Sequence, residues 1–280
     1  MTNIVKTDFR TPKDEEWMRP ALLFMYARDP YTRMWSAYLD KFVLPDFWAQ
    51  GKRFIRELRP IATAESLKCG HDVTFQEFIR YSFSHMNSTE PGEILNEHFK
   101  PIYYNCNPCK HKFDLIGKAE SFTNDTELVF ASSGLFGTIP SDHETDQVMS
   151  EIQDLVQYNL NIRDKHYIFE IPKDCLTADL IARRLWSVFQ YNGYIGKDIP
   201  FQEIPTESSS NDIVMLLVKN VRNVRKTADQ ATLDTWKKQR VNSMRNAYLT
   251  LPSSLLELFQ KMYAVDFHLF QYEAHPNWLK

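Results

Sequence analysis

The segment that begins at Arg28 has residue types that could bind an anion at the start of a helix. Arg28 follows the apolar run 21–27, Asp29 is a good N-cap, and Pro30 suits the first helical position. A helix that begins at Pro30 directs its free N–H groups and the positive end of its dipole toward its own start. The sequence therefore predicts a strand, a short turn and a helix, with a local anion site where strand and helix meet.

Arg33 and Ser36 extend this polar surface along the predicted helix. They are three residues apart and share a face with Asp40, because side chains three and four positions apart are neighbours on a helix. A guanidinium fork and a hydroxyl near a helix start are the donors that a phosphate monoester needs. A capped amphipathic helix whose Arg28 pairs with a carboxylate such as Asp29 explains the same residues equally well.

The remaining pattern predicts an α/β fold. Apolar runs indicate a strand over 21–27, buried on both faces as in a parallel sheet, and a second strand over 113–117. The segment 167–171 is compatible with a third strand. Capping signals and helical periodicity predict the other helices, which are 74–83 with a Thr74–Glu77 capping box, 144–158, 176–191, and 254–270 with Ser254 capped by Glu257.

Composition limits the classes of function. The chain has 280 residues, 43% of them hydrophobic, enough apolar side chain for a real core. Its 33 Lys and Arg against 36 Asp and Glu give a net charge of −3, which argues against nucleic acid as a partner. The early apolar run 21–27 is too short for a bilayer span and lacks the basic start of an export signal. We therefore expect neither an anchor nor a signal in this chain.

Four cysteines leave three interpretations open for the pair Cys106 and Cys109. Zinc would require a second pair of ligands, and Cys69 and Cys175 are both isolated. A thioredoxin-type redox pair would begin a helix after a strand, but this pair lies among turn-forming residues. A structural disulfide or buried thiols fit better, and four cysteines allow three pairings.

Two glycosylation sequons favour the disulfide interpretation. They begin at Asn87 and Asn124, and both would be usable only in a lumenal compartment. Such a compartment also permits disulfides.

The segment Arg28–Phe42 resembles the 3′-phosphate-binding motif of the membrane-bound carbohydrate sulfotransferases. That motif reads Arg-(Asp/Glu)-Pro-x-x-Arg-x-x-Ser-Ala-Tyr-x-x-Lys-Phe, and every fixed position is present. Further stretches are similar, in order, to the chondroitin, dermatan and HNK-1 branch of the family: Asn96–Phe99, Cys106–Cys109, Phe113–Glu120 and Tyr263–Tyr272. The resemblance covers residues 20–130 and 250–273.

The resemblance implies a sulfotransferase fold, a three-layer parallel sheet with flanking helices like that of nucleoside-triphosphate hydrolases. The implied enzyme moves a sulfuryl group from 3′-phosphoadenosine-5′-phosphosulfate to a glycan hydroxyl in the Golgi lumen, without a metal. Arg28 and Ser36 would hold the 3′-phosphate, and the motif places Asp29, Pro30 and Arg33 beside them.

His98 lies inside a family motif, and the resemblance makes it the candidate base or acceptor-binding residue. A histidine that only hydrogen-bonds Glu97 or a nearby carbonyl fits the same position, since an unperturbed imidazole pKa suits either role. A kinase-like nucleotide site is excluded because no Gly-rich loop with Gly-Lys-Ser/Thr is present.

The sequence also departs from the family. The phosphosulfate-binding loop should lie well upstream of Arg28, and the Pro-Lys pair in Thr11–Lys13 precedes acidic residues that would repel a phosphosulfate. We therefore expect residues 1–280 to be one sulfotransferase domain that is incomplete at its N-terminus and lacks the membrane anchor. A non-catalytic glycan- or nucleotide-binding protein, or an inactive fragment, is the alternative.

The long stretch before the last helix also departs from the family. Residues 131–250 are expected to be a helical insertion, either a cover on the sheet or part of a groove for an acidic glycan. Within it, Val224–Thr227 resembles a basic stretch that lies between the sheet and the last helix in related glycan sulfotransferases, and a solvated, charged turn is the preferred alternative. The acceptor sugar and the oligomeric state stay open.

Overall fold

The computed structural model describes residues 22–84, 96–135, 144–205 and 208–279. The chain divides into two compact units. The sheet unit comprises Met1–Arg28 and Cys106–Pro140, and the helical unit comprises Asp29–Asn105 and Ser141–Lys280. In chain order, the described strands and α-helices are β1 (Phe24–Ala27), α1 (Pro30–Tyr38), α2 (Trp48–Leu58), α3 (Ala64–Cys69), α4 (Phe75–Ser84), α5 (Ile102–Cys106), β2 (Leu115–Lys118), α6 (Phe122–Ser132), α7 (Glu144–Asp164), α8 (Ala178–Tyr191), α9 (Ser210–Thr227), α10 (Gln230–Leu249), α11 (Ser253–Met262) and α12 (Ala264–Leu269).

The sheet unit contains β1 and β2, which pair in parallel. The register runs from Phe24 opposite Leu115 to Ala27 opposite Lys118. The prediction of two strands is therefore confirmed, although β2 begins two positions later than expected. The residue before β1 contacts the residue before β2, because Leu23 N donates to the Asp114 carboxylate at 2.9 Å, and this bond fixes where β2 starts.

The expected burial of β1 on both faces is wrong. Alternate residues of a strand point to opposite faces, and the two faces of β1 are buried unequally, with Met25 and Ala27 on one face and Phe24 and half-buried Tyr26 on the other. Met25 and Ala27 are 7% and 1% exposed, whereas Phe24 is 48% exposed and Ile116 on β2 is 47% exposed. Ile116 is opposite Met25 and Phe24 is opposite Leu115, so in the described part of the chain each face of this two-stranded sheet has one half-exposed apolar side chain.

The helical unit is built around the predicted helix that begins at Pro30. Met34 and Phe42 are fully buried, and Trp35 and Leu39 lie on the same buried face, so the helix and the residues after it pack through an apolar stripe. After α1 the chain makes a five-residue π-helical turn over Leu39–Val43. This turn ends where Leu44 N donates to the Leu39 carbonyl at 3.1 Å.

Several predicted helices of this unit are confirmed with altered ends. The 144–158 prediction corresponds to α7, which continues to Asp164, and the 176–191 prediction corresponds to α8. The capping box at the start of α4 forms as predicted. Thr74 N donates to the Glu77 carboxylate at 2.9 Å, and Glu77 N donates to the Thr74 hydroxyl at 3.2 Å.

The strand expected over 167–171 does not form. The segment makes turns directly after α7, and Glu170 has a φ of 54°, a left-handed conformation that interrupts an extended strand. Tyr167 and Ile168 are 69% and 60% exposed. The apolar residues that suggested a strand therefore lie mostly on the surface.

The expected single helix over 254–270 is two helices, α11 and α12. The chain changes direction at Tyr263, whose φ and ψ of −97° and 13° depart from helical values. The Ser254–Glu257 cap is also wrong, because Pro252 is the N-cap residue and provides no side-chain hydrogen bond.

The disulfide joins the two isolated cysteines and not the Cys106–Cys109 pair. Cys69 at the end of α3 bonds Cys175, with a Cα–Cα distance of 5.4 Å, and both side chains are buried. Cys106 and Cys109 are not disulfide-bonded. The favoured position of the disulfide was therefore wrong, because the partners are 106 residues apart in sequence and meet only through tertiary packing.

The basic stretch Val224–Thr227 is helical and does not form the expected connecting turn. It is the C-terminal end of helix α9, where the Arg225 guanidinium donates to the Tyr194 carbonyl at 2.8 Å. Basic side chains are favourable at a helix C-terminus because of the helix dipole.

Candidate functional site

The N-terminus of α1 forms as predicted, and Asp29 caps it. The Asp29 carboxylate accepts hydrogen bonds from Thr32 N and from the Thr32 hydroxyl, each at 2.9 Å. Pro30 occupies the first helical position and has no N–H group. The helix end therefore offers an anion fewer N–H donors than an uncapped helix would, and a ligand role for Asp29 or Pro30 stays a prediction.

Arg28 and the rest of the predicted phosphate site fall in different units. Arg28 is half-buried and directly follows β1 in the sheet unit, whereas Asp29 and the residues after it belong to the helical unit. The grouping of Arg28 with Ser36 thus stays a prediction from the sequence.

Arg33 contacts backbone carbonyls of the turn that carries His98. One terminal nitrogen donates to the Glu97 carbonyl at 2.7 Å, and the other donates to the Lys100 carbonyl. The guanidinium fork therefore ties α1 to the segment 97–100. Two of its donor nitrogens are already engaged, so Arg33 has a positioning role here beside the phosphate role predicted for it.

Ser36 lies one helical turn beyond Arg33 and is half-buried. Its carbonyl accepts the Leu39 N–H at the end of α1. Within residues 22–84, 96–135, 144–205 and 208–279, no group hydrogen-bonds its hydroxyl. This hydroxyl can therefore donate to a ligand without breaking a bond to any residue that the structure describes.

His98 is exposed on the turn that Arg33 holds. Its backbone N–H donates to the Asn96 side-chain oxygen at 3.0 Å, and its ring packs edge to face against the Phe47 ring, with 5.7 Å between the centroids. Partial burial, and then the nearby Lys41 ammonium, lower the pKa of His98, against the opposing effects of Asp40, Glu97 and Asp46. The imidazole is therefore neutral at pH 7 and able to accept a proton.

Lys41 is a fixed position of the motif Arg28–Phe42, but the sequence pattern predicts no role for it. It is 6% exposed, and its Nζ lies 3.0 Å from the Asp40 carboxylate and 2.5 Å from the Asp46 carboxylate. Burial alone would lower the pKa of Lys41, but the two carboxylates outweigh it and raise the pKa. A signal was available, because a lysine between the apolar positions 39 and 42 is placed on a buried helix face.

Two residues of the C-terminal helices also reach the turn that carries His98. The Tyr263 hydroxyl donates to the Phe99 carbonyl, and the Asp266 carboxylate accepts N–H groups from residues 102 and 103. Their stretch was recognised in the sequence only as part of a family resemblance. A tyrosine and an aspartate one helical turn apart on an apolar face gave no indication of what they contact.

The structure shows neither a metal site nor a membrane-spanning helix in its described residues. No group of three or more His, Cys, Asp or Glu side chains in these ranges could hold a metal ion. None of the helices from α1 to α12 is both long and apolar enough to cross a bilayer.

In chain order β1 is followed directly by α1, and a parallel strand that leads into a helix is typical of α/β proteins that bind phosphate groups. The overall composition is helix-rich with a small parallel sheet. The chain belongs to the sulfotransferase family, since the profile described as "Sulfotransferase family" matches residues 3–170.

Several curated proteins are similar to this chain, all of them carbohydrate sulfotransferases. Carbohydrate sulfotransferase 11 of Rattus norvegicus is 29% identical over 171 residues, which are 59% of this chain and 48% of that protein. Carbohydrate sulfotransferase 14 of Mus musculus is 37% identical over 108 residues, 38% of this chain and 27% of that protein. Carbohydrate sulfotransferase 12 of Xenopus laevis is 33% identical over 120 residues, 40% of this chain and 28% of that protein.

The chain thus spans about half or less of the length of these relatives. No solved structure matches it.

Proposed function

We propose that this chain is the catalytic part of a carbohydrate sulfotransferase. It would transfer a sulfuryl group from 3′-phosphoadenosine-5′-phosphosulfate to a hydroxyl of a glycan of the chondroitin or dermatan class. The observation that carries the proposal is the complete motif Arg28–Phe42, which lies within the segment that matches the sulfotransferase family. The printed names of the relatives support a carbohydrate acceptor.

The donor's 3′-phosphate is assigned to Arg28 and Ser36. Arg28 provides charged donors, and the half-buried Ser36 hydroxyl provides a neutral donor that no described residue uses. Asp29 and Pro30 form the start of the helix that carries Ser36. Arg33 is assigned to the same site through its position in the motif, with its guanidinium holding the adjacent turn.

His98 is assigned as the base for the acceptor hydroxyl. As the sugar oxygen attacks sulfur, an O–S bond forms, the bond from sulfur to the donor's phosphate oxygen breaks, and the hydroxyl proton passes to His98. The lowered pKa of His98 keeps its imidazole neutral and ready for that proton at pH 7. Adenosine 3′,5′-bisphosphate leaves with the displaced electron pair.

A Golgi-lumenal location is supported by the disulfide between Cys69 and Cys175, since disulfides persist in oxidising compartments. Glycosylation is proposed at Asn124, which is exposed on α6. The other sequon, at Asn87, lies outside the described residues. The full-length protein is proposed to lie at the Golgi membrane.

We further propose that the sheet unit and the helical unit are parts of one sulfotransferase domain of the three-layer type. Residues 131–250 would be a helical insertion in it. The helices α7 to α10 lie in this range, which agrees with a helical insertion. The phosphosulfate-binding loop would lie upstream of β1.

The donor site is tested by replacing Arg28 and Ser36 with Ala one at a time. Calorimetry should show binding of adenosine 3′,5′-bisphosphate weakened by about 2 to 4 kcal/mol for Arg28→Ala and about 1 to 2 kcal/mol for Ser36→Ala, because each removes a donor to the phosphate. The transfer itself is measured as the label that passes from labelled 3′-phosphoadenosine-5′-phosphosulfate to chondroitin.

Matched controls lie on α8. Arg183→Ala removes an exposed arginine that pairs with Asp179, and Ser187→Ala removes a hydroxyl that donates to the Arg183 carbonyl. Neither control should alter nucleotide affinity. Unchanged affinity in both Arg28→Ala and Ser36→Ala would contradict the assignment of the phosphate site.

A further inference from the structure

The backbone around His98 depends on side chains from distant parts of the chain. We call residues 97–103 the His98 turn. Arg33 holds its first part from α1, through the carbonyls of Glu97 and Lys100. Backbone groups outside regular helices and strands require such partners when water is excluded, because an unpaired buried polar group is costly.

Tyr263 also contacts the His98 turn, from the C-terminal part of the chain. Its side chain is fully buried, and its hydroxyl donates to the carbonyl of Phe99, the residue directly after His98. The same hydroxyl lies 2.9 Å from the Met34 sulfur on α1. Burial raises the pKa of Tyr263 well above the physiological range, so its O–H donor is permanent.

Asp266 fixes the end of the same turn. The side chain is 1% exposed, and its two oxygens accept from Ile102 N at 2.6 Å and from Tyr103 N at 2.9 Å. Tyr263 and Asp266 are three residues apart and therefore lie on one face of the chain at the start of α12. Together they contact the His98 turn on the C-terminal side of His98, where Arg33 also contacts the Lys100 carbonyl.

We propose that Tyr263 and Asp266 are positioning residues for the base of the sulfuryl transfer. The His98 ring has an edge contact with Phe47, so the backbone of the turn and the Phe47 ring together set where the imidazole points. Tyr263 and Asp266 fix that backbone at residues 99, 102 and 103, and so keep the imidazole aligned for proton removal from the acceptor. Misplacing a catalytic group by about 1 Å costs roughly 100-fold in rate. This inference rests on the proposed function, and it adds a role for the C-terminal helices in catalysis.

The test compares Tyr263→Phe with Tyr194→Phe in the full 280-residue chain. Tyr263→Phe keeps the buried ring and removes only the hydroxyl. Tyr194→Phe removes a hydroxyl that donates to Glu151 at 2.9 Å, away from the His98 turn. We expect kcat to fall by about tenfold or more in Tyr263→Phe, with affinity for adenosine 3′,5′-bisphosphate retained within about twofold.

Two further readouts separate positioning from stability. Hydrogen exchange of the amides of the His98 turn should be faster in Tyr263→Phe and unchanged in Tyr194→Phe. Asp266→Asn keeps one acceptor oxygen and should lose less kcat than Asp266→Ala. If Asp266→Ala does not fold, Tyr263→Phe and Asp266→Asn decide the question.

The outcomes distinguish the two proposals. An active wild-type chain in which Tyr263→Phe and Tyr194→Phe have equal kcat would overturn the positioning role and leave the sulfotransferase proposal standing. Equal losses of kcat and nucleotide affinity in Tyr263→Phe would also overturn it, because a general loss of structure lowers both. A wild-type chain that transfers no sulfate from the labelled donor would overturn both proposals.

Discussion

Breaking the disulfide between Cys69 and Cys175 should destabilise the helical unit strongly. The bond links the end of α3 to the short helical turn Lys173–Cys175 that precedes α8. The variant that removes it is Cys69→Ala with Cys175→Ala, since alanine leaves no buried hydroxyl without a partner. A control variant, Cys106→Ser with Cys109→Ser, changes the cysteines that are not disulfide-bonded.

The magnitude follows from the length of chain that the bond closes. The partners are 106 residues apart, and a disulfide stabilises mainly by restricting the unfolded chain. Loop-closure entropy for this length corresponds to about 4.8 kcal/mol at 25 °C. Structure retained in the unfolded chain makes this an upper value. For a chain of this size the loss corresponds to a decrease in Tm of roughly 10 to 20 °C.

Urea unfolding followed by circular dichroism measures the effect, with and without reductant. The wild type should lose stability on reduction, and the Cys69→Ala/Cys175→Ala variant should be insensitive to reductant. The Cys106→Ser/Cys109→Ser control should behave like the wild type. Equal stability of the oxidised and reduced wild type, or a peptide map that links Cys106 to Cys109, would refute the reasoning.

Two further predictions concern charged clusters of the helical unit. Replacing Arg59 by Met should cost about 2 kcal/mol in unfolding free energy at neutral pH, because Asp72 and Glu77 lose their shared donor. Burial raises the pKa of the Asp72 and Glu77 carboxyls, but the hydrogen bonds from Arg59 outweigh burial, so both pKa values lie below the ordinary 3.8 and 4.5. The stabilisation is therefore present at pH values above these ordinary pKa values and is lost as the pH falls further. If the urea midpoints of the wild type and of Arg59→Met differ by the same amount at pH 7 and at about pH 3, this assignment is contradicted. Replacing Lys41 by Met removes a charge that lowers the pKa of His98, so the acid limb of the kcat/KM profile should move to higher pH; an unmoved limb would show that His98 is not the titrating base.

The elements around the functional motif could be predicted because their signals are local. Asp29, Pro30 and the apolar stripe specify where α1 starts and which face it buries, and the structure follows them. The Thr74–Glu77 box likewise forms as its sequence indicates. Capping and helical periodicity involve residues within about four positions of one another, so no tertiary information is needed.

Signals that depend on what lies opposite a segment gave wrong predictions. The segment 167–171 has the apolar residues of a strand, but it follows α7 as a series of turns. The Cys106–Cys109 spacing favoured a disulfide there, whereas Cys69 and Cys175 meet through the packing of α3 against the segment before α8. A strand needs a neighbour and a disulfide needs two Cβ atoms in reach, and neither condition is visible in a local pattern.

The sequence by itself determined the family motif, the strand and helix that carry it, and the choice of His98 as the candidate base. Only the tertiary structure decided that Arg33 donates to carbonyls of the His98 turn and that Lys41 is buried between two carboxylates. It also decided that Tyr263 and Asp266 contact the same turn. The physical reason is range. A helix is specified by neighbours along the chain, whereas the environment of an imidazole is specified by side chains that are distant in sequence, 64 residues between Arg33 and Glu97 and 164 between Tyr263 and Phe99, and that come together only when the core packs.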